Sequence, residues 1–501
     1  MPFNAAFSWW IKKRMKNISH AVESPLLTQK NIFDTLIGKA KNTVFGKKYA
    51  FYQITNFDDF KSKVPLHTYE DLYPYIEKII EGKSDILWPG KIKWFSKSSG
   101  TTNAKSKIIP VSKDAIFDCH YKGGKDLLSV YHHRNEKAKL FGGKHLILGG
   151  SSELNKLGKD SYIGDLSAII IRNLPFWTEI RRTPKRKIAL MSNWDKKIDL
   201  MSNSVLKEDV RIVAGVPSWM LVLLQEVLEK SDGKTIKDIW PKLQMYMHGG
   251  VNFEPYQNQF KELFKGLDIN YYQTYNASEG FFGLQYNNED DDMILLLDHG
   301  IYYEFIPMDQ FDGVNSKTIN LNEVEVDKNY GLVISTNAGL WRYIIGDTIK
   351  FTSTKPYKIK VTGRTKHFIN AFGEELIIEN TDQAITKASS EMGAKIVDYT
   401  VAPIYIDGSN RGGHEWLIEF EKEPTNLNEF TKSLDDALKK LNSDYEAKRF
   451  NNMILQPPTI QKLSKGTFHN WLSSKDKMGG QNKIPRLSNN RTFVEELLKL
   501  N

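Results

Sequence analysis

The chain has 501 residues, of which 40 % are hydrophobic and 26 % are charged, and this ordinary globular composition excludes a largely disordered protein. Its net charge of +9 is a mild bias that is compatible with anionic ligands and does not require nucleic acid. The single cysteine, Cys119, excludes an internal disulfide framework and a CxxC-type zinc site.

No segment is predicted to cross a membrane. The longest nearly unbroken apolar run, Ile212 to Leu224, has 13 residues, whereas a spanning helix needs about 20. The amino terminus lacks a signal-peptide pattern, so we expect a soluble, cytoplasmic protein. Residues 8–16 resemble a basic helix lying on a membrane surface, but so short a stretch anchors weakly, and we favour a terminal helix docked on the core.

The chain up to about residue 90 is predicted to be helical, because apolar residues such as Leu26, Leu27, Leu36 and Ile37 recur at helical spacing. From about residue 91 to 365, short apolar strands alternate with helices. The predicted strands are Lys144–Leu148, Ile212–Ala214, Leu243–Met247, Asp268–Tyr272, Ile301–Ile306 and Gly331–Ser335. This alternation indicates an α/β fold.

The pattern changes after the turn at Gly363-Arg364. The predicted elements are then a helix over Thr381–Met392 closed by Gly393, strands over Ile396–Ile406 and Glu415–Phe420, and helices over Phe430–Leu441, Phe468–Leu472 and Thr492–Leu500. We therefore expect a large α/β domain of mixed sheets flanked by helices, residues 1–365, and a smaller α+β domain, residues 366–501. The boundary is placed near residues 364–372.

Several familiar motifs are absent: there is no GxxxxGK[ST] loop, GxGxxG, HExxH or GxSxG. A basic run over residues 181–187, Arg-Arg-Thr-Pro-Lys-Arg-Lys, has no interleaved aromatic residue for base stacking. We interpret this run as an exposed loop, and we expect no nucleic-acid partner.

Residues 98–107 read Ser-Ser-Gly-Thr-Thr-Asn-Ala-Lys-Ser-Lys and follow a strand-like segment, Ile92–Phe95. They offer backbone N–H groups, hydroxyls and two ammonium groups, which is what a polyphosphate requires. Clusters of Ser, Thr and Gly are also the ordinary composition of loops, so this stretch alone leaves a plain loop open.

Two later segments carry complementary chemistry. Residues 272–280, Tyr-Gln-Thr-Tyr-Asn-Ala-Ser-Glu-Gly, offer an aromatic ring, a hydroxyl and a carboxylate, which suit a purine, a phosphate oxygen and Mg²⁺. Residues 340–347, Leu-Trp-Arg-Tyr-Ile-Ile-Gly-Asp, place Asp347 after a glycine turn at a predicted strand end. A carboxylate there can accept both hydroxyls of a ribose.

In this order, and with Gly363-Arg364 following, the three segments resemble the adenylate-forming superfamily of acyl-CoA ligases and luciferases. More narrowly they resemble the auxin-responsive acyl-acid amido synthetase family, whose pattern is Ser-Ser-Gly-Thr, then Tyr-x-x-Ser-Glu, then Tyr-Arg-Tyr-x-x-Gly-Asp. Trp341 replaces the first tyrosine of the third segment, and Asn103-Ala104 stand where glycines are usual. The resemblance reaches residues 480–486 and so covers nearly the whole chain.

The resemblance implies a role for each matching residue of the first two segments. The ATP phosphates would be bound by the hydroxyl and ammonium groups of Ser98, Ser99, Thr101, Thr102 and Lys107. Tyr275 would stack on adenine, Ser278 would bond the α-phosphate, and Glu279 would hold Mg²⁺.

The remaining roles fall later in the chain. Asp347 would bind the ribose hydroxyls, and Arg364 would reach the ribose or a phosphate. Lys107 and Lys483 are the two candidate catalytic residues. Lys483 is the expected lysine of a mobile domain that meets the charge developing during adenylation. A surface lysine before Pro485 is the alternative interpretation of Lys483, and Lys465 is its rival for the catalytic role.

The resemblance implies an ATP-dependent ligase with ATP and Mg²⁺ as cofactors. It would convert a carboxylic acid into an acyl-AMP with release of pyrophosphate, and then transfer the acyl group to the amine of an amino acid. The small domain is expected to rotate between these half-reactions, with residues 363–373 as pivot. Two alternatives are an acyl-CoA ligase with a thiol acceptor and an inactive nucleotide-binding homologue. The oligomeric state is open, with a monomer favoured.

The sequence gives a weaker indication of which residues line the acyl pocket. The apolar segment Pro217–Leu224 is one candidate lining, and residues 248–251, His-Gly-Gly-Val, are a candidate wall. Core packing is an equally good interpretation of both segments, including His248.

Overall fold

The computed structural model describes residues 2–98, 107–149, 154–158, 160–191, 193–251, 253, 256–287, 289–365, 368–374, 376–406, 411–452, 454–474 and 485–500. Among the described helices, none is both long and apolar enough to cross a membrane.

The chain starts with helices, as predicted. They are α1 (Pro2–Glu23), α2 (Pro25–Ala40), α3 (Val44–Lys48), α4 (Phe57–Lys63) and α5 (Tyr69–Ile80). Helix α1 is docked on the core through Ile11, Met15 and Ile18, which are all buried. Leu26 and Leu27 are about half exposed, because they lie in the first turn of α2 on its outer face.

The rest of the large domain alternates strands with helices. Its helices are α6 (Tyr121–Arg134), α7 (Leu166–Asn173), α8 (Phe176–Arg181), α9 (Arg186–Ala189), α10 (Trp194–Val205), α11 (Pro217–Glu229), α12 (Ile236–Ile239) and α13 (Gln257–Leu263). Its first strands are β1 (Trp94–Ser98), β2 (Lys107–Val111), β3 (Lys144–Leu148), β4 (Asn155–Lys156), β5 (Tyr162–Gly164), β6 (Arg182–Thr183), β7 (Val210–Gly215) and β8 (Met245–Gly249). Its later strands are β9 (Asn270–Ala277), β10 (Gly280–Gln285), β11 (Met293–Leu295), β12 (Ile301–Pro307), β13 (Asn329–Thr336), β14 (Tyr343–Thr354) and β15 (Tyr357–Arg364).

One large sheet organises the domain, with eleven strands in the order β12-β13-β14-β15-β11-β10-β9-β8-β7-β3-β6. Strands β9, β8, β7, β3 and β6 are parallel, and the pairs from β9 to β12 are antiparallel. A smaller sheet, β2-β1-β5-β4, carries the strands on either side of residues 99–106. The fold is therefore α/β with mixed sheets, as the sequence predicts.

The carboxyl-terminal part is a smaller α+β unit. Its elements are β16 (Phe368–Ile369), β17 (Leu376–Ile377), α14 (Ile378–Met392), β18 (Lys395–Ile404), β19 (Gly413–Lys422), α15 (Leu427–Leu441), α16 (Ser443–Arg449), β20 (Thr459–Leu463), α17 (Thr467–Ser474) and α18 (Thr492–Leu498). Strands β18, β19 and β20 form its sheet. Gly393 ends α14 with φ of +62°, the left-handed conformation that glycine tolerates best.

The two parts meet beside α13. The Tyr256 hydroxyl donates to the Ala371 carbonyl at 2.7 Å, the Gln259 amide donates to the Ile406 carbonyl, and the Asn370 amide donates to the Gly250 carbonyl at 3.3 Å. These contacts tie the segment after β15 to the large domain. The division at residue 365 stays a prediction.

Candidate functional site

A cavity of about 570 Å³ begins beyond the carboxyl ends of β8 and β9, where Gly250 and Glu279 line it. In open α/β sheets, ligands bind in the crevice at the carboxyl ends of the strands. The structure brings together at this cavity five residues predicted for the site: Ser98, Ser278, Glu279, Asp347 and Arg364.

Asp347 is held from two sides. It lies inside β14 and not after a strand end as predicted, and the antiparallel register places it opposite Arg364 of β15. The Arg364 Nε donates to Asp347 Oδ1 at 2.9 Å, and the Tyr275 hydroxyl donates to Oδ2 at 2.5 Å. Gly346, with φ of +95°, sets the backbone conformation immediately before the carboxylate.

Tyr275 is a buried residue whose ring lies 4.8 Å from that of Phe282. Burial, together with the charge of Asp347, raises the pKa of the Tyr275 phenol well above its ordinary value, so the hydroxyl stays protonated and donates. Tyr275 is not among the described residues that line the cavity. The tyrosine therefore orients Asp347 in this structure, and its stacking on adenine stays a prediction.

Lys107 is the first residue of β2 and lies close to the Glu279 carboxylate. Its Nζ donates to the Tyr343 hydroxyl at 3.0 Å. Burial disfavours the ammonium, but the nearby Tyr343 and Glu279 outweigh that effect and raise the pKa of Lys107. Burial also raises the pKa of Glu279, with the charge of Lys107 opposing the shift. Lys107 therefore remains a cation next to a carboxylate whose charge is costly to bury.

Ser278 joins the turn between β9 and β10 to strand β1. Its hydroxyl lies 2.8 Å from that of Ser96 and donates to the Lys97 carbonyl at 3.3 Å. The second segment is thereby fixed beside the start of the hydroxyl-rich stretch. This is the proximity that binding of one polyphosphate by both segments requires.

Other predicted residues are not described. Ser99, Thr101, Thr102 and Lys483, as well as Asn103-Ala104, lie outside the described residues. Lys465 is described, is exposed, and is not among the described residues that line the cavity. Its role and that of Lys483 stay predictions.

The remaining residues of the third segment support the fold. Trp341 is fully buried, and its Nε1 donates to the Leu87 carbonyl at 3.0 Å. Arg342 is also buried and pairs with Glu304 at 2.8 Å. The replacement at Trp341 therefore falls in the core and leaves Asp347 untouched. Tyr343, the partner of Lys107, was not singled out from the sequence, although it stands inside the same segment.

Beyond the nucleotide side, the cavity becomes a chamber along the face of the parallel strands. Alternate residues of three neighbouring strands line it, which are His145 and Ile147, Ile212 and Ala214, and Met245 and Met247. Side chains two residues apart share one face of a strand, so this wall follows from the register of β3, β7 and β8. The facing wall includes Leu128 of α6 and Ile170 of α7.

Of the two interpretations of Pro217–Leu224, this arrangement favours core packing over the lining of an acyl pocket. Residues of Pro217–Leu224 are not among those lining the chamber, and Met220, Leu221 and Leu224 are fully buried in the core on the other side of the sheet. His248 stacks on Phe253 with ring centroids 3.9 Å apart, and burial lowers its pKa to about 3. It is a neutral interior histidine. Of residues 248–251 only Gly250 lines the cavity.

The fold is shared with two kinds of solved acid-activating ligases. A GH3.15 acyl acid amido synthetase superposes with a TM-score of 0.62 at 17 % identity, covering 98 % of this chain and 95 % of that chain. A 2-hydroxyisobutyryl-CoA ligase, in complex with 2-HIB-AMP and CoA, superposes with a TM-score of 0.59 at 12 % identity, covering 96 % and 92 %. The chain thus has the fold of the adenylate-forming ligases.

Within this class of ligases, matches to family models identify the family of the chain. The GH3 family N-terminal domain matches residues 14–269, the central domain matches 294–364, and the C-terminal domain matches 379–492. The chain belongs to the GH3 family.

Curated relatives span nearly the full chain. The indole-3-acetic acid-amido synthetase GH3.3 of Arabidopsis thaliana is 23 % identical over 548 aligned residues, which cover 95 % of this chain and 91 % of the relative. The jasmonoyl-L-amino acid synthetase JAR4 of Nicotiana attenuata is 23 % identical, covering 88 % and 87 %. The family named from the three sequence segments is confirmed.

Proposed function

We propose that the protein is an ATP-dependent acyl-acid amido synthetase. It activates a carboxylic acid as an acyl-AMP, releases pyrophosphate, and transfers the acyl group to the amine of an amino acid. The observation that carries the proposal is the convergence of Ser278, Glu279, Asp347 and Arg364 on one cavity that continues into an apolar chamber. Family membership adds ATP use, since its named members are amido synthetases.

The chemistry explains why this arrangement is suitable. A carboxylate is a poor electrophile, because attack adds charge to an anion and would expel oxide. Transfer to AMP replaces that leaving group with a phosphate monoester, a step that needs alignment and charge neutralisation more than a protein nucleophile. Asp347, fixed by Arg364 and Tyr275, would orient the ribose, and the Lys107 ammonium would offset phosphate charge.

Mg²⁺ is the cation that we expect Glu279 to hold. Carboxylate oxygens are ligands that Mg²⁺ prefers. The residue fits the ion because its carboxylate lines the cavity and burial raises its pKa, so a bound cation would offset the cost of its charge. The ion would supply charge neutralisation for the polyphosphate.

The small domain is proposed to complete the site in two different positions. Asp444 of α16 already lines the cavity, which places the carboxyl-terminal unit at its edge. The pivot would be residues 363–373, and Lys483 would approach the α-phosphate in the adenylating position. Replacing Lys483 by Ala should then lower the adenylation rate about 10²–10³-fold, as the loss of one transition-state donor does elsewhere.

One experiment tests the proposed function. The protein is incubated with ATP, Mg²⁺ and a panel of organic acids, and acid-dependent exchange of pyrophosphate into ATP is measured. Amino acids and CoA are then supplied separately, and the products are identified by mass. An amide product supports the proposal, a thioester identifies a CoA ligase, and no exchange with any acid indicates an inactive homologue. Glu279→Ala should abolish exchange.

A further inference from the structure

The chamber is long, and its far end is not apolar. Met245 and Gly250 both line it, and strand β8 runs from Met245 to Gly249 with an advance of about 3.3 Å per residue, so the chamber extends about 13 Å along this strand. The register of the parallel strands places His145, Ile212 and Met245 at one level near its far end. The adjacent strand β6 pairs Arg182 with His145 at that same level.

Two arginines of the basic run line this far end. Arg182 is buried and committed to the protein, because its Nε and Nη2 donate to the Glu179 carboxylate at 2.9 Å and its Nη1 donates to the Pro184 carbonyl at 2.5 Å. Arg181 also lines the chamber, and it pairs with no acidic group of the described chain. The exposed loop expected here is thus, in part, a chamber wall.

The neighbouring histidine is neutral. His145 Nε2 donates to the Leu140 carbonyl at 3.3 Å, which leaves Nδ1 as the acceptor of the ring. Burial lowers the pKa of His145 to about 4, and the charge of Arg181 acts in the same direction. Neutral His145 therefore does not compete with Arg181 for an anionic or electronegative group.

The acidic residues that line the chamber lie away from its far end. Among the described lining residues, the acidic ones are Glu279 and Asp347 on the nucleotide side and Asp444 of the small domain. The far end carries Arg181 and Arg182, of which only Arg182 is paired with a carboxylate. Arg181 is half-buried, and a guanidinium without a carboxylate partner among the described residues favours a ligand that supplies an acceptor oxygen.

We propose, on the basis of the amido synthetase function proposed above, that the acid substrate is elongated and apolar and carries an acceptor oxygen at its far end, held by Arg181. A terminal hydroxyl and a terminal carboxylate both supply this chemistry. A plain acyl chain would occupy the same chamber but leave the guanidinium without a partner, and such a loss is how sites built for a polar group reject apolar analogues.

The test compares decanoic acid with ω-hydroxydecanoic acid and decanedioic acid in the pyrophosphate exchange assay. We expect kcat/KM to be about 10- to 100-fold higher for one or both oxygenated acids, the range expected for one hydrogen bond to a charged group. In Arg181→Met the kcat/KM values for the oxygenated acids should fall to about that for decanoic acid, so that the preference disappears. The oxygenated acid that has the higher kcat/KM shows whether Arg181 holds a hydroxyl or a carboxylate.

Lys187→Met is the matched control, because Lys187 is an exposed cation of the same run and does not line the chamber. It should leave the preference unchanged. Equal use of the three acids, or a preference that survives in Arg181→Met, overturns the proposal. Exchange with other acids but with none of these three also overturns it. Absence of exchange with every acid of the broad panel contradicts the amido synthetase function itself.

Discussion

Glu279 is a buried carboxylate whose retained charge should cost the fold stability. Burial raises its pKa, so in the folded state its protonated form is favoured relative to the unfolded chain. Its contribution is stabilising below the ordinary pKa of a glutamate and is lost as pH rises through the raised value. We therefore predict that Glu279→Gln raises the Tm at neutral pH in metal-free buffer, while it lowers exchange activity at least about 100-fold.

The sign of this effect can be checked with pH. The Tm advantage of Glu279→Gln should shrink as pH falls from the raised pKa of Glu279 to the ordinary pKa of a glutamate. Below that value it should no longer change with pH, because Glu279 is then protonated in both the folded and the unfolded chain. Adding Mg²⁺ and ATP should raise the Tm of the wild type more than that of the variant. If the variant is less stable than the wild type at neutral pH, this contradicts the interpretation of Glu279 as a buried carboxylate whose charge costs stability until a cation binds.

Tyr275 separates two roles that the sequence could not distinguish. Its hydroxyl donates to Asp347, whereas the resemblance assigns its ring to adenine. Tyr275→Phe keeps the ring and removes the donor, so we predict a rise of about 10- to 100-fold in the KM for ATP, the range for one hydrogen bond to a charged group. The KM is measured by pyrophosphate exchange. Tyr52→Phe, at an exposed tyrosine, is the control. If the KM for ATP is unchanged in Tyr275→Phe, the hydroxyl has no role in ATP binding, and stacking of the ring on adenine is the remaining role of Tyr275.

The sequence predicted which residues belong to the candidate site but not the hydrogen bonds between their side chains. Ser278, Glu279 and Asp347 could be named because each offers a group that a nucleotide needs, and their order in the chain matches a family pattern. The bond Tyr275–Asp347 joins residues far apart in the chain that the large sheet brings together through β9 and β14. The bond Lys107–Tyr343 depends on the contact between the smaller sheet, which holds β2, and the large sheet, which holds β14.

Strand β14 shows how an element can depend on one residue. Gly346 has φ of +95°, and the nearest atom to a Cβ placed there would be Thr365 Oγ1 at 4.0 Å. Space is therefore available, and the cost of a side chain is conformational. We predict that Gly346→Ala destabilises the protein by about 1–2 kcal/mol and lowers exchange activity by displacing Asp347.

Gly38→Ala is the matched control for that substitution. Gly38 lies inside α2, is exposed, and would place a Cβ within 4 Å of nothing. Alanine there should be neutral or stabilising by up to about 1 kcal/mol, because glycine is the weaker helix former. Both variants are compared by urea denaturation. Equal effects of the two substitutions would contradict the conformational argument for Gly346.

Elements with a simple period were predicted well. Strands Lys144–Leu148 and Ile301–Pro307 and helix Leu427–Leu441 agree closely with their patterns, because each has one clear buried face or is buried throughout. The continuation of β14 beyond Gly346 and the whole of β15 were not predicted. They contain polar residues and bulges, and the pairing across the sheet stabilises them rather than local preference. Asp347 was accordingly assigned to a strand end when it lies within a strand.

The two units are joined beside α13 by polar contacts and by a buried hydrophobic cluster that includes Tyr256 and Phe260 of the large unit and Ala371 and Phe372 of the small one. The Tyr256 hydroxyl donates to the Ala371 carbonyl at 2.7 Å, inside the segment proposed as the pivot. If the small domain rotates between the half-reactions, this bond exists in only one of its two positions. A single buried neutral hydrogen bond contributes about 1 kcal/mol, which corresponds to about a fivefold bias between positions.

Tyr256→Phe removes that bond and keeps the ring, which lies 6.1 Å from Tyr405 in an edge-on contact. We predict that the rates of adenylation and of acyl transfer change in opposite directions, by up to about fivefold each, when measured by pyrophosphate exchange and by single-turnover aminolysis. Tyr246→Phe is the matched control, because that hydroxyl donates to the Gly215 carbonyl within the large domain. Rates that fall together in Tyr256→Phe would mean that the domains act from one fixed arrangement, since a shift between two positions must favour one half-reaction at the expense of the other.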